Sequence, residues 1–184
     1  AVDRDPNSIT LLAVSKTKPI SAIKEAFQAG QRCFGENYVQ EGVEKIQALT
    51  ALPNLQWHFI GPLQSNKTRV VAEHFDWVQS VDRLKIAQRL SDQRPDNLPK
   101  LQLCIQVNVS GEASKSGVAP GEADALASQI AALPNVCLRG LMAIPAATRD
   151  EQAQLRAFAH MQQLFQQLKT QYNSVDTLSM GMSG

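Results

Sequence analysis

Short runs of strand-forming residues alternate with helical patterns along nearly the whole of this 184-residue chain. Such alternation predicts βαβ units with right-handed crossovers, and therefore a parallel sheet that is covered by helices. Seven strands are predicted: Ile9–Ser15, Arg32–Gly35, Gln56–Ile60, Trp77–Val81, Leu101–Val109, Val136–Met142 and Thr177–Ser179. Asp82 is a plausible N-cap for the helix after the fourth strand, and the longest helix is predicted from Asp150 to Lys169.

Both an open doubly wound sheet and a closed barrel fit this alternation. The first strand is not followed by a G-x-G-x-x-G turn, which weakens the dinucleotide-binding version and favours a barrel. The functional end of such a barrel lies at the carboxyl ends of its strands. Polar residues and glycines stand at those ends and are expected to share one mouth: Lys16, Glu36, Asn37, His58, Gly61, Ser80, Asn108 and Ser179–Ser183.

The length of the chain bears on how complete this barrel is. A TIM-type (β/α)8 barrel has eight strands and typically about 250 residues, whereas seven strands are predicted before Gly184. The glycine- and serine-rich segment Ser179–Gly184 should lead into a further helix and a closing strand. We therefore predict a single barrel domain over residues 1–184, incomplete at both ends and lacking its last strand.

Charge and cysteine content exclude several classes of function. Eighteen basic and seventeen acidic residues nearly balance, so neither nucleic acid nor a membrane surface is indicated as a partner. Cys33, Cys104 and Cys137 lie in or beside apolar runs and are expected to be core residues in a reducing compartment. His74 and His160 lack a second ligand at metal spacing, so no metal site is predicted. With no membrane-length apolar run and no secretory signal, the cytoplasm is expected.

Lys16 ends the first strand, just before the first helix. Partial desolvation there disfavours the charged amine, and a neutral amine can condense with an aldehyde. The alternative is a lysine that simply reaches solvent. Lys18 either reinforces this effect through like-charge repulsion or is a solvated loop lysine. Lys115, in the polar loop 110–117, is either a lid residue and second amine or a solubilising one.

Asn37 and His58 follow or occupy neighbouring strands and have open interpretations. Asn37 either contacts a cofactor through its amide or is the N-cap of the second helix. His58 alternates with two aromatic residues, so it points either toward the barrel mouth or toward a helix. For His58, a core histidine that hydrogen-bonds to a neighbour is the alternative to a functional one.

Five segments together carry a family resemblance: Leu11–Pro19, Phe34–Tyr38, Trp57–Lys67, Gly140–Met142 and Leu178–Ser183. In this order and at this spacing they resemble the pyridoxal phosphate homeostasis protein family, which is similar to the N-terminal barrel of alanine racemase. The resemblance implies a (β/α)8 barrel that binds pyridoxal 5′-phosphate as a Schiff base on Lys16. Ser183 matches a serine of the family's phosphate site, and the glycine–serine/threonine turn that completes that site is absent from this sequence.

The cofactor-binding residues predicted on this basis are Lys16, Asn37, His58, Ser179, Met180 and Ser183, with Ser179 and Met180 included only as neighbours of Ser183. Alanine racemases of this type take a second base, a tyrosine, from a separate β-domain of the partner subunit, and this chain lacks such a domain. Tyr38 begins a helix and Tyr172 follows one, so neither is an obvious substitute.

We therefore expect a monomer that binds the cofactor and delivers it to pyridoxal phosphate-dependent apoenzymes without substrate turnover. A one-base amino-acid racemase, or an aldolase that uses Lys16 without cofactor, is the alternative.

Overall fold

The computed structural model describes residues 4–111, 116–145 and 150–181. Seven parallel strands form one sheet in which the spatial order of the strands is their order in the chain. The strands are β1 Ala13–Val14, β2 Cys33–Glu36, β3 Gln56–Phe59, β4 Trp77–Val81, β5 Leu101–Gln106, β6 Val136–Ala143 and β7 Thr177–Met180. The α-helices between them are α1 Ile20–Gln28, α2 Val39–Ala48, α3 Thr68–His74, α4 Leu84–Gln93, α5 Ala123–Ala131 and α6 Glu151–Gln171.

The sheet curls into a TIM-type barrel that lacks its eighth strand. Ser179 on β7 donates a hydrogen bond from Oγ to Oε1 of Gln79 on β4 over 2.7 Å. In a flat sheet, strands three places apart would be separated by roughly 14 Å, at about 4.8 Å per strand. The two side chains therefore meet across the interior of a curved wall. Within the described ranges no strand pairs with the outer edge of β1 or of β7, so the wall is open between them. The predicted fold class is confirmed.

The hydrophobic core lies between the sheet and the helices. Phe59 of β3 packs edge-on against Phe75, which follows α3, with ring centroids 5.4 Å apart. Both rings are fully buried, and burying a side chain of this kind stabilises the fold by about 1.5–3 kcal/mol. Ile86 and Leu90 bury the apolar stripe of α4 in the same layer. The outer face of the sheet is therefore covered by the helices, and the side chains on its inner face line the barrel interior.

The first strand is much shorter than predicted. Only Ala13 and Val14 pair with β2, whereas the apolar run predicts a strand over Ile9–Ser15. In the part of the chain that the structure describes, β1 has a neighbouring strand on one side only, and apolar side chains of the run stay uncovered. Leu11 is 70% exposed and Val14 44% exposed as a result.

Helix caps follow the sequence signals in one case and not in the other. Asp150 caps α6 by accepting hydrogen bonds from the N–H groups of Gln152 and Ala153, which satisfies donors that a helix start leaves free. The predicted cap Asp82 is wrong, since Arg83 occupies the N-cap of α4. The Asp82 carboxylate instead pairs with the Arg83 guanidinium over 2.6 Å. None of the helices within the described ranges is long and apolar enough to cross a membrane.

Candidate cofactor site

Lys16 lies in the turn that joins β1 to α1, at the carboxyl end of the first strand. The side chain of the preceding residue, Ser15, is buried. The Lys16 side chain is exposed, and the predicted partial desolvation is therefore wrong for this structure. Among the described residues β1 pairs with β2 alone, so no described strand covers the turn on its other side.

A buried ion pair supports this turn from the helix side. Lys45 of α2 places Nζ 2.8 Å from Glu36 Oε1 at the end of β2, and the Glu36 side chain is fully buried. Ser15 donates from Oγ to the same carboxylate oxygen over 2.6 Å. The expectation that Glu36 joins the mouth is thus wrong, because its carboxylate turns toward α2, where the Lys45 ammonium compensates its charge.

Lys45 also bridges to a second carboxylate on its own helix. Its Nζ lies 2.6 Å from Glu41 Oε1, one helical turn earlier. The hydrogen bond from Lys45 is the main reason that the pKa of Glu41 falls below its ordinary value. One buried ammonium thus holds two carboxylates next to the Lys16 turn.

Asn37 follows β2 directly and does not cap α2. The N-cap residue is Tyr38, which makes no side-chain capping hydrogen bond, so that alternative for Asn37 is wrong. The Asn37 amide oxygen Oδ1 is buried and has no hydrogen-bond partner among the residues that the structure describes. Gly61, after β3, lies so close that a Cβ there would overlap the Asn37 carbonyl oxygen. The glycine thus lets the two loops meet at the mouth.

His58 points into the barrel interior from β3. Its Nδ1 lies 2.9 Å from Nε2 of Gln79 on β4, and Gln79 in turn accepts the hydrogen bond from Ser179 on β7. Burial lowers the pKa of His58 to about 4, so the imidazole is neutral at pH 7. Because the Gln79 amide nitrogen can only donate, Nδ1 accepts and this network assigns the ring proton to Nε2.

The hydrogen bonds that run from Ser179 through Gln79 end at the imidazole ring of His58. Nε2 of His58 is buried and has no partner within the described part of the chain. The ring also stacks on Trp77, with centroids 5.0 Å apart and planes 16° apart, which fixes its orientation. His58 therefore offers one oriented, neutral N–H donor in the interior of the barrel.

The other end of the barrel interior is occupied by a charged layer. Arg139 on β6 lies over the Trp77 ring at 4.9 Å, pairs with Asp176 and donates to Gln102 Oε1 over 2.7 Å. Burial opposes ionisation of Asp176, but the hydrogen bonds, first of all from Arg139, outweigh it and lower its pKa. These partners satisfy one another near the amino ends of β4, β5 and β7.

The remaining predicted residues of the site have different positions. Ser179 lies in the interior through its contact with Gln79, whereas Met180 packs against the hydrophobic core. Ser183 lies outside the described residues, as does Lys115. Lys18 is exposed, and its backbone N–H closes the turn on the Ser15 carbonyl over 3.0 Å.

No group of three or more possible metal ligands occurs in the described ranges. His74 belongs to α3, with Nδ1 2.9 Å from the Val70 carbonyl oxygen of the same helix. Ser80 and Asn108 are also among the residues expected at the mouth. The Ser80 hydroxyl is buried and has no hydrogen-bond partner among the described residues. The Asn108 side chain accepts a hydrogen bond from the Gly111 N–H.

Sequence reasoning missed Gln79 and Lys45. Gln79 lies two residues after Trp77 on β4, and period-two alternation places both on one face, which was the available signal. Lys45 follows Glu41 at the i, i+4 spacing of helical ion pairs, but nothing local shows that the pair is buried. Both residues contact site residues that are distant in the sequence, so local sequence patterns do not reveal their role.

Three neighbouring strands thus carry an accessible primary amine, Lys16 after β1, and two buried, unpartnered polar atoms, Asn37 Oδ1 after β2 and His58 Nε2 on β3. Lys16 can attack a carbonyl carbon, Asn37 Oδ1 can accept a hydrogen bond, and His58 Nε2–H can donate one. A small molecule with an aldehyde and a polar aromatic ring matches this set. The fold is a TIM-type barrel that lacks its eighth strand, with a primary amine at the carboxyl end of its first strand.

Comparison with known proteins identifies the class of this barrel. The family model of the alanine racemase N-terminal domain matches residues 5–184. The alanine racemase of Clostridium difficile 630 shares the fold, with a TM-score of 0.80 over 95% of this chain and 46% of the racemase, at 13% identity.

Closer relatives narrow the assignment. The pyridoxal phosphate homeostasis protein of Vibrio cholerae serotype O1 is 63% identical over 184 residues, which cover 98% of this chain and 78% of the relative. PipY of Synechococcus elongatus PCC7942, solved with pyridoxal phosphate bound, superposes with a TM-score of 0.87 at 40% identity, covering 98% of this chain and 85% of PipY. The chain belongs to the pyridoxal phosphate homeostasis protein family.

Proposed function

We propose that this chain binds pyridoxal 5′-phosphate as a Schiff base on Lys16 and serves in the homeostasis and delivery of this cofactor. The observation that carries the proposal is a pair of buried, unpartnered atoms, Asn37 Oδ1 and His58 Nε2. Asn37 follows β2 at the same end of the sheet as the Lys16 turn, and His58 lies on the next strand, β3, with its ring in the barrel interior. Leaving such an atom unsatisfied costs about 1–3 kcal/mol, so a ligand that satisfies both is favoured. The bound cofactor of PipY supports this choice of ligand.

The residues of the mouth fit the groups of this cofactor. The cofactor supplies an aldehyde, and Lys16 supplies the amine that forms a C=N bond with it, releasing one water. We assign Asn37 Oδ1 as the acceptor for a ring hydroxyl and Nε2 of the neutral His58 as a donor, because both atoms are buried without partners among the described residues. Ser179 is proposed as a neighbour of the ligand and Ser183 as a phosphate ligand, whereas the packing of Met180 on the core argues against a direct contact from its side chain.

The positions of the two tyrosines favour a carrier over an enzyme, because a racemase-type enzyme of this cofactor needs a second base at the substrate. Hydrolysis of the C=N bond restores the free Lys16 amine and releases the aldehyde, which can then pass to another protein. Of the two tyrosines, Tyr38 is 58% exposed and Tyr172 packs on the core after α6, at the opposite end from the mouth. We propose a cytoplasmic monomer whose recipients are pyridoxal phosphate-dependent apoenzymes.

The test of binding is the absorption spectrum of the full-length protein mixed with pyridoxal phosphate. The wild type is expected to show the Schiff-base band and to lose it on borohydride reduction, and Lys16→Ala is expected to show no band. Lys18→Ala is the matched control, since this exposed lysine lies two residues away, and it should retain the band. A Lys16→Ala protein with the wild-type band would refute the assignment.

The test of turnover is deuterium exchange at the α-carbon of a panel of amino acids. Carriage alone predicts rates no higher than those of free pyridoxal phosphate. Faster exchange with one amino acid, abolished in Lys16→Ala, would instead establish a racemase-type activity.

A further inference from the structure

We infer that Glu41, held by Lys45, is a positioning residue that aims the amine of Lys16 at the mouth. The inference rests on the proposed function of Lys16. Glu41 Oε1 accepts a hydrogen bond of 2.6 Å from the backbone N–H of Thr17. Lys45 Nζ donates over 2.6 Å to the backbone carbonyl oxygen of Ser15. The two peptide groups that flank Lys16 are therefore both held by one ion pair.

The backbone at Thr17 shows why this turn needs support. Its φ of 62° lies in the left-handed region, where a β-branched residue is strained. Such a conformation persists only when surrounding contacts fix it. The Glu41 carboxylate accepts a charge-assisted hydrogen bond from the N–H of this same residue, and such bonds are stronger than those between neutral groups. Without it the turn can relax, and the exposed Lys16 side chain would sample directions away from the mouth.

The two carboxylates of the cluster have separable roles. Glu36 is fully buried and is the partner that compensates Lys45 inside the protein. The Glu41 side chain is 29% exposed, and Lys45 keeps Glu36 as partner if Glu41 is removed. A change at Glu41 therefore alters the turn without leaving an uncompensated buried charge.

The experiment compares Glu41→Ala, Glu41→Gln and the control Glu44→Ala in the full-length protein. Glu44 lies on the same helix, is exposed and bonds only to Gln40 among the described contacts, so the control makes the same charge change. The Schiff-base equilibrium constant is measured by absorbance titration with pyridoxal phosphate. Glu41→Ala should lower it roughly tenfold, the effect of about 1.4 kcal/mol. Glu41→Gln should keep most of it, because an amide oxygen still accepts from Thr17.

Glu44→Ala should match the wild type. A wild-type constant in Glu41→Ala, or a loss in Glu41→Gln as large as in Glu41→Ala, would overturn the inference. A different result would refute the proposed function, namely that the Schiff-base band persists in Lys16→Ala.

Amide hydrogen exchange of the wild-type protein tests the inference without any variant. The Thr17 N–H should be protected, and exchange at the rate of a free loop amide would also overturn the inference.

Discussion

Acid should destabilise this fold through His58 in a pH range where most carboxyl groups are still charged. Burial holds the pKa of His58 at about 4 in the folded protein, against 6.5 for an unperturbed histidine. Between these values the unfolded chain binds a proton that the folded chain does not, so stability falls as the pH falls through this window. Integrating the two titrations from pH 7 to pH 5 gives a loss of about 2 kcal/mol from this one residue.

The measurement is urea unfolding of the wild type and of His58→Gln at pH 7 and pH 5. The variant lowers stability at both pH values through lost packing, but only the wild type should lose the additional 2 kcal/mol or so on acidification. Asp176 and Glu41, whose pKa values are lowered by their partners, are present in both proteins and cancel in the comparison. Equal acid losses in the two proteins would show that His58 is not held neutral by burial.

Three further perturbations test other parts of the structure. Lys45→Met leaves the Glu36 carboxylate buried without its cation and should cost about 3–5 kcal/mol in urea unfolding. Gly61→Ala places a Cβ on the Asn37 carbonyl oxygen, so the loops must separate, and pyridoxal phosphate titration should show weaker binding at little change in secondary structure by circular dichroism. Burial raises the pKa of Cys104 to about 12. With the other two cysteines replaced by serine, the folded protein should therefore not react with a thiol reagent until urea unfolds it.

The sequence pattern predicts the order and type of the elements well, because the core imposes its periodicity on them. The bounds of β4 at Trp77 and Val81 agree with the prediction, since a buried central strand shows an apolar pattern along its whole length. The predicted bounds of the first strand are wrong for the opposite reason. Ile9–Ser15 has the composition of a strand, but composition cannot show that β2 is the one partner of β1 among the described residues, or that only Ala13 and Val14 pair with it.

The site is predictable only as far as strand ends define it. Asn37 and His58 are predicted from the rule that residues at the carboxyl ends of parallel strands share one end of a barrel. Glu36 was placed on the wrong side, because the burial of Lys45 on the next helix is a tertiary fact that no local pattern shows. The Gln79 link from His58 to Ser179 depends on the curvature of the sheet, which brings β4 and β7 together.

The most direct test of the account is to map the covalent adduct. Full-length protein is incubated with pyridoxal phosphate, reduced with borohydride, digested and analysed by tandem mass spectrometry. A Schiff base on Lys16 predicts one dominant reduced adduct, on the peptide that contains Lys16, and its loss in Lys16→Ala. An adduct mainly on another lysine, such as Lys18 or Lys115, or an adduct spread evenly over exposed lysines, would contradict it.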